Sequence, residues 1–421
     1  MKLRRCCAML LVIAATHTGS MREVRAQAFG VELHNSLMPV SGAMGGASLA
    51  NAQDLPSAIN GNPANLARFR GTQFCNAGAW VEPTINISNN GGVVPGVDQY
   101  RAKSEAQGSA LGNIAVSQDV RALGLPMTFG VGLIASSGAG VSARDVPASN
   151  GTSALLNVLE IAPAVGVDLT DNVAVGANLM LGNSTFDGPF VGIGAAAYDY
   201  ALRAAFGVTY DMTCYSQIAA YYQTKQSFRY EDAIRLELAG GAFSSAFDVS
   251  LDLPSNFGIG YANERLMNGR LLLAVDLLYK QWSEASLFRS IYSDQWVVQT
   301  GLQYKLNRRV RLRLGYAYAE NAMLANPQGR IGGIVLPGTT AALQYVQALL
   351  PAINNHRISG GFGVRDVLPG VDFDFFGGGM FDQFQRFGAS AGSIESYWVG
   401  MGLTWRFGRG SCCRLPVPDH W

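Results

Sequence analysis

Few residues of this chain could do covalent or metal chemistry, and they are scattered. Of 4 His and 6 Cys in 421 residues, His34, His356 and His420 lie far apart, and no Cys-x-x-Cys pair or His-rich spacing gathers donors. A zinc or haem site needs several ligands converging from defined spacings, so no metal or cofactor is expected. No Ser-His or Cys-His arrangement pairs a nucleophile with a base. Cys412 and Cys413, adjacent and hard to bridge without strain, read as two thiols in a tail. What remains is noncovalent chemistry by isolated charges. Arg308 and Arg309, followed by Arg311 and Arg313, form the densest positive cluster, read as a turn and then two arginines on one face of a strand. A formal net charge of +1 and the lack of a basic arm argue against a nucleic-acid partner.

The elements that must position these charges follow from composition. With 50 Gly, 48% hydrophobic and only 14% charged residues, the chain departs from the roughly 7% Gly and 25% charged of an average soluble domain. Past the first residues no uninterrupted apolar run reaches the ~18 residues of a spanning helix. An apolar chain without such helices fits strands that face lipid on one side and a lumen on the other. At the N-terminus, Lys2, Arg4 and Arg5 precede an apolar stretch at 6–15, and Ala26-Gln27-Ala28 fits a small-residue cleavage pattern. Residues 1–28 therefore read as a secretory signal, with the mature chain beginning at Phe29.

Alternation is clearest near the C-terminus. Tyr397, Val399, Met401, Leu403, Trp405 and Phe407 interleave with Trp398, Gly400, Gly402, Thr404 and Arg406. Leu312, Leu314 and Tyr316 alternate with Arg311, Arg313 and Gly315, so the arginine side must be wet. Leu273, Val275 and Leu277 oppose Asp276 and Lys280, and Phe373 and Phe375 oppose Asp372 and Asp374. Such runs predict strands at 72–88, 109–119, 126–136, 155–168, 172–184, 202–211, 215–226, 247–262, 269–282, 293–305, 309–319, 355–366, 370–381 and 396–407. The even count returns both barrel ends to one side, where short turns such as 306–308 and Asn268-Gly269 fall. The expectation is an all-β, transmembrane antiparallel barrel of about 14 strands over 71–407, with a tail at 408–421. The long connection 320–354 is too apolar for a solvated excursion. Leu343, Val346, Gln347 and Leu350 predict a short amphipathic helix over the mouth.

Residues 29–70 fit no strand. Phe29-Gly30, then Ser41-Gly42-Ala43-Met44-Gly45-Gly46-Ala47, then Ala58-Ile59-Asn60-Gly61-Asn62-Pro63-Ala64-Asn65-Leu66-Ala67, leading into Gly71-Thr72-Gln73-Phe74, resemble the N-terminal hatch of the FadL/TodX family of outer-membrane transporters for long-chain fatty acids and hydrophobic compounds. Asn86-Ile87-Ser88, Leu253-Pro254 and Tyr279-Lys280-Gln281-Trp282-Ser283 extend the resemblance through most of the chain. It implies a fourteen-stranded barrel with a hatch over 29–70 held by Asn62, Pro63 and Ala64, and a monomer placed in the outer membrane among its lipids by barrel assembly machinery. It also implies passage of a hydrophobic small molecule and sideways release where the third strand kinks, for which Ser137, Gly138 and Gly140 are candidates. Phe29, Asn183, Lys280, Arg311 and Arg313 are the residues expected near ligand.

Two departures shape these expectations. The family's fatty acid transporters carry an arginine late in strand five, and the nearest match here is Asn183, which favours a neutral ligand because a buried carboxylate needs a charged partner. The chain also continues past Phe407 to Trp421 in place of a terminal aromatic strand end. A general porin would need an unplugged lumen with opposed charge rows. The Asn62-Pro63-Ala64 hatch argues against that reading, and an outer-membrane lipid-modifying enzyme would need a Ser-His pair at a strand end facing lipid, for which His356 is the only candidate.

Overall fold

A computed structural model describes Glu32 and residues 34–92, 94–106, 108–188, 190–194, 196–237, 243–330 and 339–407. The expected leader 1–28, Phe29, the tail 408–421 and the apolar stretch 331–335 lie outside the described residues. Fourteen antiparallel strands run as β1 Thr72–Asn90, β2 Ser109–Asp119, β3 Met127–Ser142, β4 Ser153–Asp168, β5 Val173–Asp187, β6 Ala197–Asp211, β7 Ser216–Gln223, β8 Ser255–Arg265, β9 Leu271–Gln281, β10 Gln295–Lys305, β11 Val310–Ala319, β12 His356–Leu368, β13 Val371–Phe387 and β14 Ser390–Phe407. Each pairs with its sequence neighbours, and β14 closes on β1 from Thr72↔Phe407 to Asn89↔Ser390. Closure satisfies the backbone N–H and C=O groups that hydrocarbon cannot.

The alternation read from sequence is the inside-outside pattern of the wall. On β14, Tyr397, Val399 and Met401 are exposed while Trp398 is buried. On β11, Leu312, Leu314 and Tyr316 face out and Arg313 faces in; on β9, Asp276 and Lys280 are buried inside. Ile114, Val131, Leu133, Ile161, Leu181 and Ile259 continue an exposed apolar band that only lipid can cover. The barrel is of the outer-membrane type, and no described helix is long and apolar enough to cross a membrane. Tight turns sit at the end where both barrel termini lie. At 266–270, Met267 and Asn268 take φ of 52° and 59°, and at 306–309 Leu306 N–H donates to Val310 O at 3.0 Å.

Two expected strands are corrected. The run 247–262 breaks at Pro254, which has no N–H to continue a ladder. Its first part, Phe243–Leu253, pairs with Gln226–Glu237 in a separate three-stranded sheet with Ile193–Gly194. The run 215–226 likewise ends at Gln223. Alternation reads alike in both sheets, so periodicity joined them. The extra hairpin turns against the inner wall, where Tyr230 lies ring to ring with Phe186 at 5.0 Å and its hydroxyl meets Ser184 Oγ at 2.5 Å.

The stretch 34–70 fills the lumen. A short helix, α1 Leu55–Asn60, and two 3-10 turns, Ser41–Met44 and Pro63–Arg68, carry almost wholly buried residues. Too small to form a core of their own, they are buried against the wall. The contact is backbone to backbone through inward glycines. A Cβ on Gly176 would stand 2.3 Å from Ala64 N and Pro63 C, one on Gly207 1.8 Å from Asn62 Oδ1, and one on Gly315 1.9 Å from Gly45 N. The predicted connection helix is present as α2 Thr339–Leu349. It is enclosed instead of lying across the mouth: Tyr345, Ala348 and Leu349 are as buried as Leu343 and Val346. Tyr345 hydroxyl sits 2.7 Å from Tyr100 hydroxyl and 2.6 Å from Thr152 Oγ1.

Gly176→Val should therefore dislodge the plug and leave the barrel closed, because the clash is with backbone that cannot move aside. The expected cost is about 1–3 kcal/mol of overpacking. Planar-bilayer recording of the folded variant should show a several-fold higher ion conductance, and a conductance equal to the parent chain would refute this seating.

Candidate ligand-binding site in the barrel lumen

Along the barrel axis the interior changes character. One apolar cluster fills the end away from the tight turns, with Val141, Leu156, Val158, Phe186, Phe228, Tyr230, Leu251, Trp282, Phe288, Tyr292, Leu343, Leu349, Phe376 and Met380 among its members. Below it lies a charged knot. Arg203, inward on β6, donates Nη1–H to Glu32 Oε1 at 2.7 Å, Nε–H to Thr224 O at 3.0 Å and Nη2–H to Pro254 O at 2.8 Å. Lys280 Nζ donates to the Glu32 carbonyl and lies 3.4 Å from Oε2. Asn256 Nδ2 bridges Glu32 Oε2 and Gln223 Oε1, each at 2.8 Å. Burial by itself would raise the Glu32 carboxyl, but the charges of Arg203 and Lys280 outweigh it and hold the group at about 2. Burial, helped by the Lys280 charge, pulls His34 down to about 3, so the imidazole is neutral.

The plug beneath is held by side chains that bond its backbone. Asp276 Oδ2 accepts from Ser48 N at 2.6 Å and Leu49 N at 2.9 Å. Asp54 caps α1 by accepting from Ser57 N at 2.8 Å and also takes Val40 N and Ser41 N at 3.0 Å; burial raises its carboxyl against those bonds. Asn62 Oδ1 accepts from Ala64 N at 3.0 Å, and its Nδ2 donates to Leu49 O at 2.8 Å and to the wall at Val208 O at 3.3 Å. Pro63 opens the following turn with φ already set.

The expected ligand residues separate. Lys280 is in the charged knot. Arg313 is buried in an ion pair with Asp374 at 2.7 Å and also bonds Gln303 at 2.8 Å. Arg311 lines a cavity of about 370 Å³ with Arg68, Lys305 and Arg308 at the tight-turn end. Asn183 is not in the lumen. It pairs with Leu159 and Tyr200, both exposed on the outer wall, because Gly182 and Ser184 are the inward residues of β5. Phe29 lies outside the described residues. His356 is exposed on β12, with Nδ1 at 2.7 Å from Tyr316 hydroxyl. Sequence reading missed Arg203 and Glu32. Arg203 was legible as the charged residue between outward Leu202 and Phe206; nothing in its spacing tied it to Glu32.

The wall is incomplete beside Ser137, Gly138 and Gly140. The β2–β3 ladder ends at Asn113↔Ile134. On the other edge of β3 the ladder to β4 continues past a bulge between Ala135 and Ser137, as far as Ser142↔Ser153. Asn113 Oδ1 accepts Ala135 N at 3.1 Å, and Ser104 Oγ accepts Ser142 N at 3.1 Å. Between these two side-chain stitches no residue of β2 pairs with β3.

This geometry defines a class: a closed fourteen-stranded membrane barrel with a plugged lumen, an apolar cluster filling one end and an interrupted wall. No protein-family model and no curated protein sequence matches the chain. Among solved structures, the Pseudomonas putida toluene transporter TodX superposes with a TM-score of 0.63 at 18% identity, covering 88% of this chain and 98% of that one. The Ralstonia pickettii toluene transporter TbuX gives 0.61 at 18%, covering 90% and 100%. A Pseudomonas aeruginosa FadL homologue gives 0.63 at 14%, covering 91% and 100%. The fold is that of the FadL/TodX channels.

Glu32 ionises far below the ~4.5 of a free Glu, so its contribution is full above that value and is lost as pH falls toward 2. The shift corresponds to roughly 3 kcal/mol holding the segment around Glu32 in place. Hydrogen exchange of residues 34–36 should stay slow down to about pH 4 and quicken below it. Glu32→Gln should quicken exchange at neutral pH and abolish that acid dependence; an unchanged profile would contradict the role given to this carboxylate.

Proposed function

We propose that this chain is an outer-membrane channel of the FadL/TodX kind, admitting hydrophobic small molecules and releasing them sideways past a hatch formed by residues 29–70. The observation that carries the reading is the half-open β2–β3 seam beside a lumen that is plugged along its axis. A solute that reaches the apolar chamber meets the charged knot and the plug below it, so the straight path to the tight-turn end is closed. The seam opens into the membrane, where an apolar solute is more stable than in water. A general porin would require the opposite, an open aqueous axis and a sealed wall. The named functions of the structural neighbours, toluene transport in two cases, are in keeping with it.

In this reading the loops collect the solute, the apolar cluster, α2 included, receives it, and Asn62, Pro63 and Ala64 keep the hatch in one conformation while it turns toward Ser137, Gly138 and Gly140. The protein acts as a monomer inserted by barrel assembly machinery and surrounded by outer-membrane lipid. The preference for a neutral ligand rested on Asn183; with that residue on the lipid face, the argument for it falls away.

Deleting Ser136 should remove the bulge, let β3 follow β2 further and narrow the seam. Uptake of a hydrophobic probe into cells with normal barrel levels is expected to fall about tenfold, equivalent to roughly 1.4 kcal/mol on the rate-limiting step. Asn62→Ala with Pro63→Ala should also change uptake, by loosening the hatch. Parental uptake in the Ser136 deletion would exclude lateral release, and parental uptake in the double variant would exclude a gating role for the motif.

A further inference from the structure

Beside the interrupted wall, buried oxygens stand without donors. Glu160 lies inward on β4, between outward Leu159 and Ile161, and is fully buried. Across the ladders it pairs with Ile134 of β3 and Gly182 of β5. Gly182 has no side chain to cover it, and Gln226 stands in that place: a Cβ there would meet Gln226 Nε2 at 2.4 Å. On the β3 side, Ser136 is the residue inserted at the bulge, and Ser137 stands opposite inward Val158. Ser136 and Gln226 both face the Glu160 carboxyl, yet neither meets it in hydrogen-bonding geometry. Glu160 Oε1 and Oε2, Gln226 Oε1, Ser136 Oγ and Ser137 Oγ are all shielded from solvent with no partner among the described residues.

This set is short of hydrogens. Its oxygens can all accept, while the serine hydroxyls are its only O–H groups. Gln226 Nε2 donates elsewhere, to Ala201 O at 3.0 Å. Arg203, whose charge reaches Glu160, directs Nε, Nη1 and Nη2 to Thr224 O, Glu32 Oε1 and Pro254 O. Buried acceptors left without donors cost free energy, and the remedy is a group that brings an N–H or O–H. The charge of that group is constrained from both sides. A carboxylate would stand like to like beside Glu160, and an ammonium would meet the charge of Arg203. A neutral hydroxyl meets neither penalty. Around the oxygens the interior is apolar: Val158, the next inward residue of β4, and Phe228, whose Cζ lies 3.2 Å from the same added Cβ position at Gly182, belong to the apolar cluster. An aromatic ring can pack on Phe228 and Val158 while its hydroxyl turns to the oxygens.

We propose that Glu160, Ser136 and Gln226 form a hydroxyl-accepting site at the seam, and that the channel selects neutral hydrophobic molecules bearing an O–H donor, phenols foremost. This rests on the channel reading above and adds what the exit discriminates. The set sits where the β2–β3 ladder has ended at Ile134, so a solute turning from the apolar cluster toward Ser137, Gly138 and Gly140 passes it. A hydrocarbon leaves these oxygens as they are. A phenol donates its O–H to Glu160 and accepts from a serine hydroxyl through the same oxygen.

The test is binding of 4-propylphenol and of its methyl ether, 4-propylanisole, which has the same body and no O–H. Both are titrated at pH 7 into the full chain in lipid nanodiscs and measured by calorimetry, with empty nanodiscs subtracted. The phenol should bind at least tenfold more tightly. Glu160→Leu should bring the ratio of the two affinities close to one. Glu160→Gln, whose amide oxygen still accepts, should keep part of it, and Gln226→Leu should lower it severalfold. Retained gel mobility of the unheated barrel shows that each variant is folded. A ratio near one in the parent chain, which would mean that the oxygens hold water only, overturns the site and leaves the channel reading intact. So does an undiminished ratio in a folded Glu160→Leu or Gln226→Leu. Tighter binding of protonated 4-propylbenzylamine than of the phenol overturns the choice of a neutral donor. Failure of the parent chain to bind either propyl probe overturns the channel reading itself, and the site with it.

Discussion

A strand in hydrocarbon has no water to receive its N–H and C=O groups, and the pairing of β1 with β14 along their length is this chain's answer to that constraint. Once the sheet closes, alternate side chains must point inward. In a barrel of fourteen strands they leave a lumen too wide for wall side chains to fill. Something else must occupy it. The occupant, 34–70, brings its own backbone polar groups into a space that is nearly as dry, and it has no ladder to satisfy them. Asp54 and Asp276 accept its amides, and Asn62 and Asn65 donate to its Leu49 carbonyl. The polar residues of the plug and wall are thus a consequence of closure: they replace the sheet that the plug cannot join.

The same constraint explains the glycines. A plug fixed by backbone hydrogen bonds must bring its main chain close to the wall, and a wall with side chains at every inward position would hold it off. Gly166, Gly176 and Gly207 lie opposite 62–67, and Gly260, Gly301 and Gly315 lie opposite 44–50. These positions leave outward neighbours such as Val175 and Phe206 free to meet lipid, so these six glycines serve the interior, while others such as Gly269 serve turns. The close approach also accounts for the predominance of Gly, Ala and Ser in 40–50, where Met44 and Leu49 are the large exceptions.

How much of this was legible depended on whether a feature was local. Period-two alternation is set residue by residue, so β9, β11, β13 and β14 could be read with their inward Asp276, Arg313, Asp374 and outward Met401. The tight turns could be read because Asn268-Gly269 has local backbone preferences. The interruption at Pro254 was visible as a proline, yet the strands on either side alternate alike, and only tertiary pairing tells the barrel from the hairpin. Asn183 was misplaced by a single step in register, which in a strand moves a side chain from lumen to lipid. Arg203 and Glu32 are far apart in sequence, so their pairing has no local trace. The helix in 320–354 was legible by spacing, but its enclosure by Tyr100 and Thr152 was not.

Electrostatics then decides how the interior is divided. The apolar cluster would seal the mouth entirely if it ran the length of the lumen, and a wholly charged lumen would conduct water and ions. The chain instead stacks one on the other, and the boundary between them falls at the Glu32 knot. The bulge at Ser136 interrupts the wall one residue past Ala135, on the strand whose neighbour β4 carries Glu160 into the same level of the lumen. The bulge and Glu160 therefore lie at the same level along the axis. The polar layer thus lies at the height where the β2–β3 ladder stops, so the wall changes its pairing where the interior changes its character.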